Sequence, residues 1–269
     1  MRRLLPLALL LSGAALPAAR AQTAHAGLPL VVVPTAQGEI ALRDGDYVLL
    51  SLGMVRPTDR YQPGDGLAAV AYEHFWTPNW SWGGRVLTTW SSGAAYGNLV
   101  VPEVLVRHRA AVGPVTFGQR LSVERFVYVR GGTTTPDQTW GRLRLDVEKI
   151  IPLGGADAAT GPALRPRLAV EAATHLRLQK GDADMAERFV QLTTLRAEVG
   201  VRTSARFDFT PWFAYGVNYL VTLPQYDANG NQTAGGPFNV RQPAVGLDVR
   251  FTLGPGTGAA GRQQLPTQH

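Results

Sequence analysis

Apolar and polar residues alternate with a period of two over much of this chain. The clearest run is Leu195 to Phe209: Leu195, Ala197, Val199, Val201, Thr203, Ala205, Phe207 and Phe209 oppose Arg196, Glu198, Gly200, Arg202, Ser204, Arg206 and Asp208. Side chains of a β-strand point alternately to its two faces, so such a strand has one apolar and one charged side. The split recurs. Leu143, Leu145, Val147 and Ile151 oppose Arg142, Arg144, Asp146 and Glu148, and Leu168, Val170, Ala172, Leu176 and Leu178 oppose Arg167, Glu171, His175 and Arg177. Val245, Leu247, Val249, Phe251 and Leu253 oppose Ala244, Gly246, Asp248, Arg250 and Thr252, and Phe213, Tyr215, Val217, Tyr219 and Val221 oppose Ala214, Gly216, Asn218 and Thr222. Helical periodicity is nearly absent after the first twenty-one residues.

Ten strands are predicted, over 46–56, 66–77, 80–92, 98–109, 114–129, 138–151, 164–178, 188–209, 212–223 and 238–253. The expected fold is all-β, an antiparallel up-and-down transmembrane β-barrel of about ten strands, an even count being the rule for single-chain bacterial barrels. Short turns are expected at Thr77-Pro78-Asn79, Ala110 to Gly113 and Thr210-Pro211. Longer loops rich in Gly, Pro, Asp, Asn and Thr are expected at Asp59 to Asp65, Gly93 to Gly97, Gly131 to Asp137, Lys180 to Glu187 and Pro224 to Pro237. Two features break this scheme. The connection Pro152 to Ala163 is long where a short turn is due. The segment 188–209 is about twice the roughly 9–11 residues that span a bilayer, so it must project, bulge or turn near Thr203-Ser204.

The N-terminal segment has the layout of a secretory signal: Arg2 and Arg3, an apolar run from Leu4 to Leu16, Pro17, and a small-x-small site at Ala19-Arg20-Ala21. The domain reading is thus a signal peptide over 1–21, a periplasmic lead-in over 22–45, a barrel over 46–253 and a disordered tail over 254–269. No later apolar stretch is long enough for a spanning helix, so membrane residence would require a barrel. The chain has no Cys, which removes disulfides, thiol chemistry and a lipidated N-terminus. It carries 26 Lys+Arg against 20 Asp+Glu, but three of the Arg lie in the signal, so the balance afterwards is close. That is a poor footing for nucleic-acid binding, which needs a clustered basic face. All basic residues except Lys149 and Lys180 are Arg, whose planar fork suits fixed ion pairs.

The charged face is the main candidate for chemistry. Inward positions are assigned to Arg85, Arg107, Arg109, Arg120, Arg142, Arg144, Arg167, Arg177, Arg196, Arg202, Arg206 and Arg250. The matching acids are Glu73, Glu103, Glu124, Asp146, Glu148, Glu171, Glu198, Asp208 and Asp248. Unpaired charge in a confined lumen is costly, so most of these should pair. Membrane-interface girdles are expected from Trp76, Trp80, Trp90, Trp140, Trp212, Tyr215 and Tyr219.

Several quoted stretches carry a resemblance: Arg142-Leu143-Arg144-Leu145-Asp146-Val147-Glu148, Leu164-Arg165-Pro166-Arg167-Leu168, Phe209-Thr210-Pro211-Trp212, and Ser122-Val123-Glu124-Arg125-Phe126. Together they resemble the outer-membrane barrel family catalogued as domain of unknown function 2490, over roughly 66–253. The last strand, Gly246-x-x-Val249-x-Phe251, is similar to the closing-strand signal read by barrel-assembly machinery, although sixteen residues follow Leu253. The resemblance implies outer-membrane lipid and that machinery as partners. It brings no established activity and no catalytic residues.

Three functional classes stay open at this point: a structural barrel with a charge-filled lumen, a narrow weakly anion-preferring pore, and a soluble periplasmic barrel with inverted faces that binds an unidentified small ligand. A lipid hydrolase is the thinnest alternative. His175 and Glu171 share a face and Ser122 could complete a set, but nothing in the spacing brings Ser122 to them. No two His lie at metal-ligand spacing, no Gly-rich phosphate loop precedes a helix, and no cofactor is expected.

Overall fold

The structure, a computed structural model, describes residues 25–42, 45–59, 64–91, 98–129, 137–154, 161–177, 188–230 and 232–253. The expected signal peptide, the expected tail and the loops at Gly93–Gly97 and Lys180–Glu187 lie outside the described residues. Thirteen strands form one sheet: β1 (His25–Gly27), β2 (Val31–Ala41), β3 (Tyr47–Pro57), β4 (Asp65–Phe75), β5 (Trp80–Ser91), β6 (Leu99–Val112) and β7 (Val115–Tyr128), followed by β8 (Gln138–Glu148), β9 (Ile151–Pro152), β10 (Ala163–His175), β11 (Leu192–Ser204), β12 (Phe207–Tyr226) and β13 (Gln232–Leu253). Eleven of them close into a barrel. From β2 to β13 each barrel strand pairs antiparallel with the next, and β13 then pairs parallel with β2, Ala244 opposite Val31 through Leu253 opposite Ile40. The short β1 pairs with an earlier part of β13, and β9 continues the β8 edge of β10.

The count is therefore odd, where an even one was expected. The additional strand is β2, which lies inside the segment read as a lead-in. Its inward parity is Val31, Val33, Thr35, Gln37 and Glu39, and it occupies the edge that β13 would otherwise leave open. An unpaired edge is the liability that barrel closure removes. An odd number of strands leaves an even number of antiparallel steps between β2 and β13, so the two run in the same direction and the closing pair is parallel.

The connections sort into a short-turn rim and a loop rim. At the first, Gly113-Pro114 joins Val112 to Val115, with Gly113 at φ 60°, a conformation that suits Gly at the first central position of a tight hairpin. Thr77 Oγ1 accepts the Trp80 amide at 3.0 Å and tightens the next turn. The expected turn at Thr210-Pro211 is not there. The chain turns at Ala205-Arg206, after a register shift between Arg202 and Ser204, and Thr210 and Pro211 lie inside β12. Phe207 packs on Phe251 with ring centroids 5.0 Å apart, which holds the start of β12 against β13 and continues the strand through Pro211. The long connection Pro152 to Ala163 does sit at this rim, as an extension of the hairpin: Pro152 pairs with Ala163, and the Leu153 amide donates to Pro162 O at 2.9 Å. At the loop rim, the expected loop Pro224 to Pro237 is largely strand, with Gln225 still opposite Ala234.

The seam between β12, β13 and β2 is tight at Gly246. A Cβ there would lie 2.3 Å from the Trp212 ring and 2.5 Å from Val33 O, whereas one at Gly216 would meet nothing closer than 3.7 Å. Gly246→Val should therefore cost about 1–3 kcal/mol as over-packing, and Gly216→Val much less. Thermal unfolding of the two variants, followed by the gel mobility of folded against heated protein, checks this. Equal midpoints would mean that Trp212 does not pack on Gly246 at this seam.

Candidate functional site: the charged lumen

Alternation places the charged parity of the wall inside. Glu73, Glu103, Arg107, Arg120, Glu124, Arg144, Glu148, Arg167, Arg196, Glu198, Asp248 and Arg250 are all buried. The outer parity is apolar and open, with Val104 65% and Leu121 61% exposed. This is the reverse of a soluble barrel with an apolar cavity, so the inverted-face arrangement is not the one this chain adopts.

The interior charges form linked groups. Glu73 is fully buried and accepts from Arg107 Nη1 at 2.5 and 2.6 Å, from Tyr47 OH at 2.5 Å and from Ser81 Oγ at 2.5 Å. Four donor contacts on one carboxylate saturate its lone pairs, which is what makes a buried charge tolerable. Arg142 bridges Glu124 and Glu171, each at 2.5 Å, and Arg120 reaches the other Glu171 oxygen at 3.1 Å. Arg167 stands between Glu148 at 2.9 Å, Glu198 at 3.1 Å and Asp146 at 3.9 Å, and Arg109 also binds Glu148. Arg196 pairs with Glu198 at 2.8 Å and Asp248 at 3.4 Å, and Arg85 with Glu103 at 2.9 Å. Arg250 approaches Glu39 at 3.5 Å and donates to Gln37 Oε1 at 3.1 Å, which carries the network across the closing seam.

Register decides which pairs are direct and which run diagonally: Arg167 lies directly opposite Glu148 and Glu198, and Arg85 directly opposite Glu103, whereas other arginines oppose each other. Arg107, Arg120 and Arg144 face one another directly across β6, β7 and β8. Like charges at directly opposed positions repel. The carboxylates that offset them come from other rows: Glu73 for Arg107, and Glu171, opposite Arg144 on β10, for Arg120. Asp208 is buried between Arg202 and Arg250 in register. Between Arg144, Glu171 and Arg196 lies a cavity of about 80 Å³, room for a few waters.

Two of the expected members are exposed rather than buried. Arg206 is exposed in the turn before β12, because the chain reverses there instead of continuing as strand. Arg177 is exposed at the loop rim beyond the end of β10, where it donates to His175 Nδ1 at 3.1 Å. Arg202 lies near the short-turn rim and donates to Gly161 O at 2.8 Å. Among the aromatics, Trp76 and Trp80 are exposed on the outer face and stack at 6.2 Å, Trp90 lies outside over Gly66, and Tyr215 and Tyr219 take the outer parity of β12. Trp140 and Trp212 do not belong to an outer girdle. Trp140 shares parity with Arg142 and Arg144 and stacks on His175 at 5.4 Å inside the loop rim. Trp212 follows Asp208 and Thr210 inward and carries Arg196 4.0 Å above its ring, a cation–π contact. Their parity was the available signal, and it conflicts with the habit of assigning Trp near strand ends to an interface.

Sequence reasoning missed Glu39, Gln37, Tyr47 and Ser81. The first two share parity with Thr35, but their outward neighbours Pro34, Ala36 and Gly38 are too small to make the alternation conspicuous. A separate polar clasp closes the β2–β3 turn. Asp46 accepts the Phe75 amide at 3.0 Å and Tyr72 OH at 2.8 Å, and contacts His74 Nδ1 at 2.8 Å. Partial burial pushes its carboxyl up, but these donors outweigh that and hold it below the ordinary aspartate range. Ser122 is buried opposite Arg142, and His175 sits opposite Trp140 on the far side of β8, which separates the members of the hydrolase-like set. Among the described residues no group of three His, Asp or Glu side chains could hold a metal ion. Comparison with family models, curated proteins and solved structures finds no match to this chain.

Glu73→Gln should leave Arg107 facing a neutral partner in a buried site, at a cost of order 3–5 kcal/mol. Arg206→Ala, a change on an exposed turn, should stay within about 0.5 kcal/mol. Denaturation midpoints of the two variants decide whether the lattice supports the fold. A Glu73→Gln protein as stable as the parent would remove that role.

Proposed function

We propose that this chain is an outer-membrane β-barrel protein, exported through a cleaved signal peptide and inserted by barrel-assembly machinery. Its role is structural and non-catalytic, with the lumen filled by an Arg–carboxylate lattice. The observation that carries the reading is the partition of side chains between the two faces of the wall: the charges are inside and buried, while Leu50, Leu52, Val104, Leu121, Leu145, Leu168 and Leu195 are exposed outside. A continuous belt of this kind is far larger than the apolar patches water-soluble monomers expose, and it suits hydrocarbon as solvent. Trp76, Trp80 and Trp82, all exposed near the short-turn rim, suit the polar boundary of a bilayer. The resemblance to domain of unknown function 2490 is part of the same proposal.

Fractionation of expressing cells should recover the mature chain in the outer-membrane pellet, and removal of detergent should precipitate the purified protein. Recovery in the soluble periplasmic extract would overturn the reading. In planar bilayers the reconstituted barrel should conduct little. A steady large conductance would replace the filled-lumen reading by the pore reading, with the arginines as the selectivity element.

A further inference from the structure

We propose that the outer wall holds one anionic phospholipid in a groove over β8, β10, β11 and β12, with its phosphate at Lys149; this rests on the membrane reading above. The groove is shallow and open, spans about 650 Å³ and is lined by Pro166, Leu168, Val199, Pro211 and Phe213 among others, with Lys149 at one end. The volume falls in the range of small-molecule sites, and the lining is that of a site for hydrocarbon.

Local sequence explains the groove. Pro166 pairs with Val199, and Pro211 pairs with Leu247, which pairs in turn with Pro34. Pro166, Val199 and Pro211 thus form a row across β10, β11 and β12 on the outer face that stands lower than its Leu and Phe neighbours, and Leu247 bounds it on the β13 side. Leu168 and Phe213 rise beside that row, with Ala197 between them in register. Small residues flanked by large ones make a trough in a wall that is otherwise covered by branched side chains.

Dimensions and charge select the occupant. From Lys149 to Pro211 the row crosses three strand spacings, roughly 14 Å at the usual inter-strand distance. The row runs around the wall just inside the short-turn rim, so it can take the glycerol and first methylenes of a lipid whose phosphate is held at that rim. Lys149 lies just past the end of β8, is exposed, and has the outer parity of Leu143, Leu145 and Val147. Its amide is held by Pro166 O at 3.2 Å. A lysine at a strand end, with its stem along apolar wall and its ammonium at the rim, is placed to meet a lipid phosphate. A neutral oil would leave that ammonium without a partner, and a soluble anion would leave the trough empty.

The test is native mass spectrometry of the full-length barrel released from vesicles of phosphatidylglycerol mixed with phosphatidylcholine. The expected result is one retained phosphatidylglycerol per chain. Val199→Trp, which fills the trough, should abolish retention. Lys149→Gln should lower the preference for phosphatidylglycerol about fivefold, the worth of one lysine at an anionic lipid surface, while a lipid is still held. Leu52→Trp, on the outer face of β3, should change nothing. If Val199→Trp fails to show the folded gel mobility, Ala197→Leu serves in its place. Retention that is absent, indifferent to the trough variants, or replaced by a dimer of the chain would overturn the groove and leave the membrane reading standing. A parent protein that never enters the vesicles would overturn both.

Discussion

Pairing of guanidinium with carboxylate inside a closed wall is the constraint on which the remainder of this structure depends. A barrel that turns its apolar residues outward must fill its interior with what is left, and here that is mostly Arg, Glu and Asp. Each of those groups loses water on folding, and only a partner with matching geometry offsets the loss. Arg supplies such geometry better than Lys. Its fixed fork lets Arg142 bridge Glu124 and Glu171, and lets Arg167 serve Glu148 and Glu198 at once. The near-exclusive use of Arg is thus a packing choice as much as a charge choice.

The same constraint reaches the seam. Closure of β13 on β2 brings Glu39 and Gln37 to Arg250, so the strand that completes the barrel also completes the lattice. Trp212 fits the interior because Gly246 has no side chain and because Arg196 covers its ring. Loss of β2 would expose a strand edge and leave Arg250 without its nearest acid. Topology and electrostatics are in this sense one problem, solved at a single place in the wall.

The outer face answers to a different rule. Nothing there requires pairing, so its relief is set by side-chain size alone, and Pro166, Val199 and Pro211 make a low row beside the taller Leu168 and Phe213. The lumen explains why the barrel holds together.

Parity was legible in the sequence because it is local: each residue's face follows from its position relative to its neighbours, whatever the strand pairs with. That was enough to group Arg142, Arg144, Asp146 and Glu148, or Arg196 and Glu198, on one side of the wall, and to anticipate an all-β barrel. Which side faces inward is not local, since an alternating strand reads the same with its faces exchanged. Only closure, which buries the charged parity and exposes the apolar one, decided it. The turn at Ala205-Arg206, the inward course of Trp140 and Trp212, and the recruitment of β2 were decided in the same way. Each depends on a partner far along the chain, Phe251 for the start of β12, His175 for Trp140 and β13 for β2, and a register between distant strands leaves no mark on either strand alone.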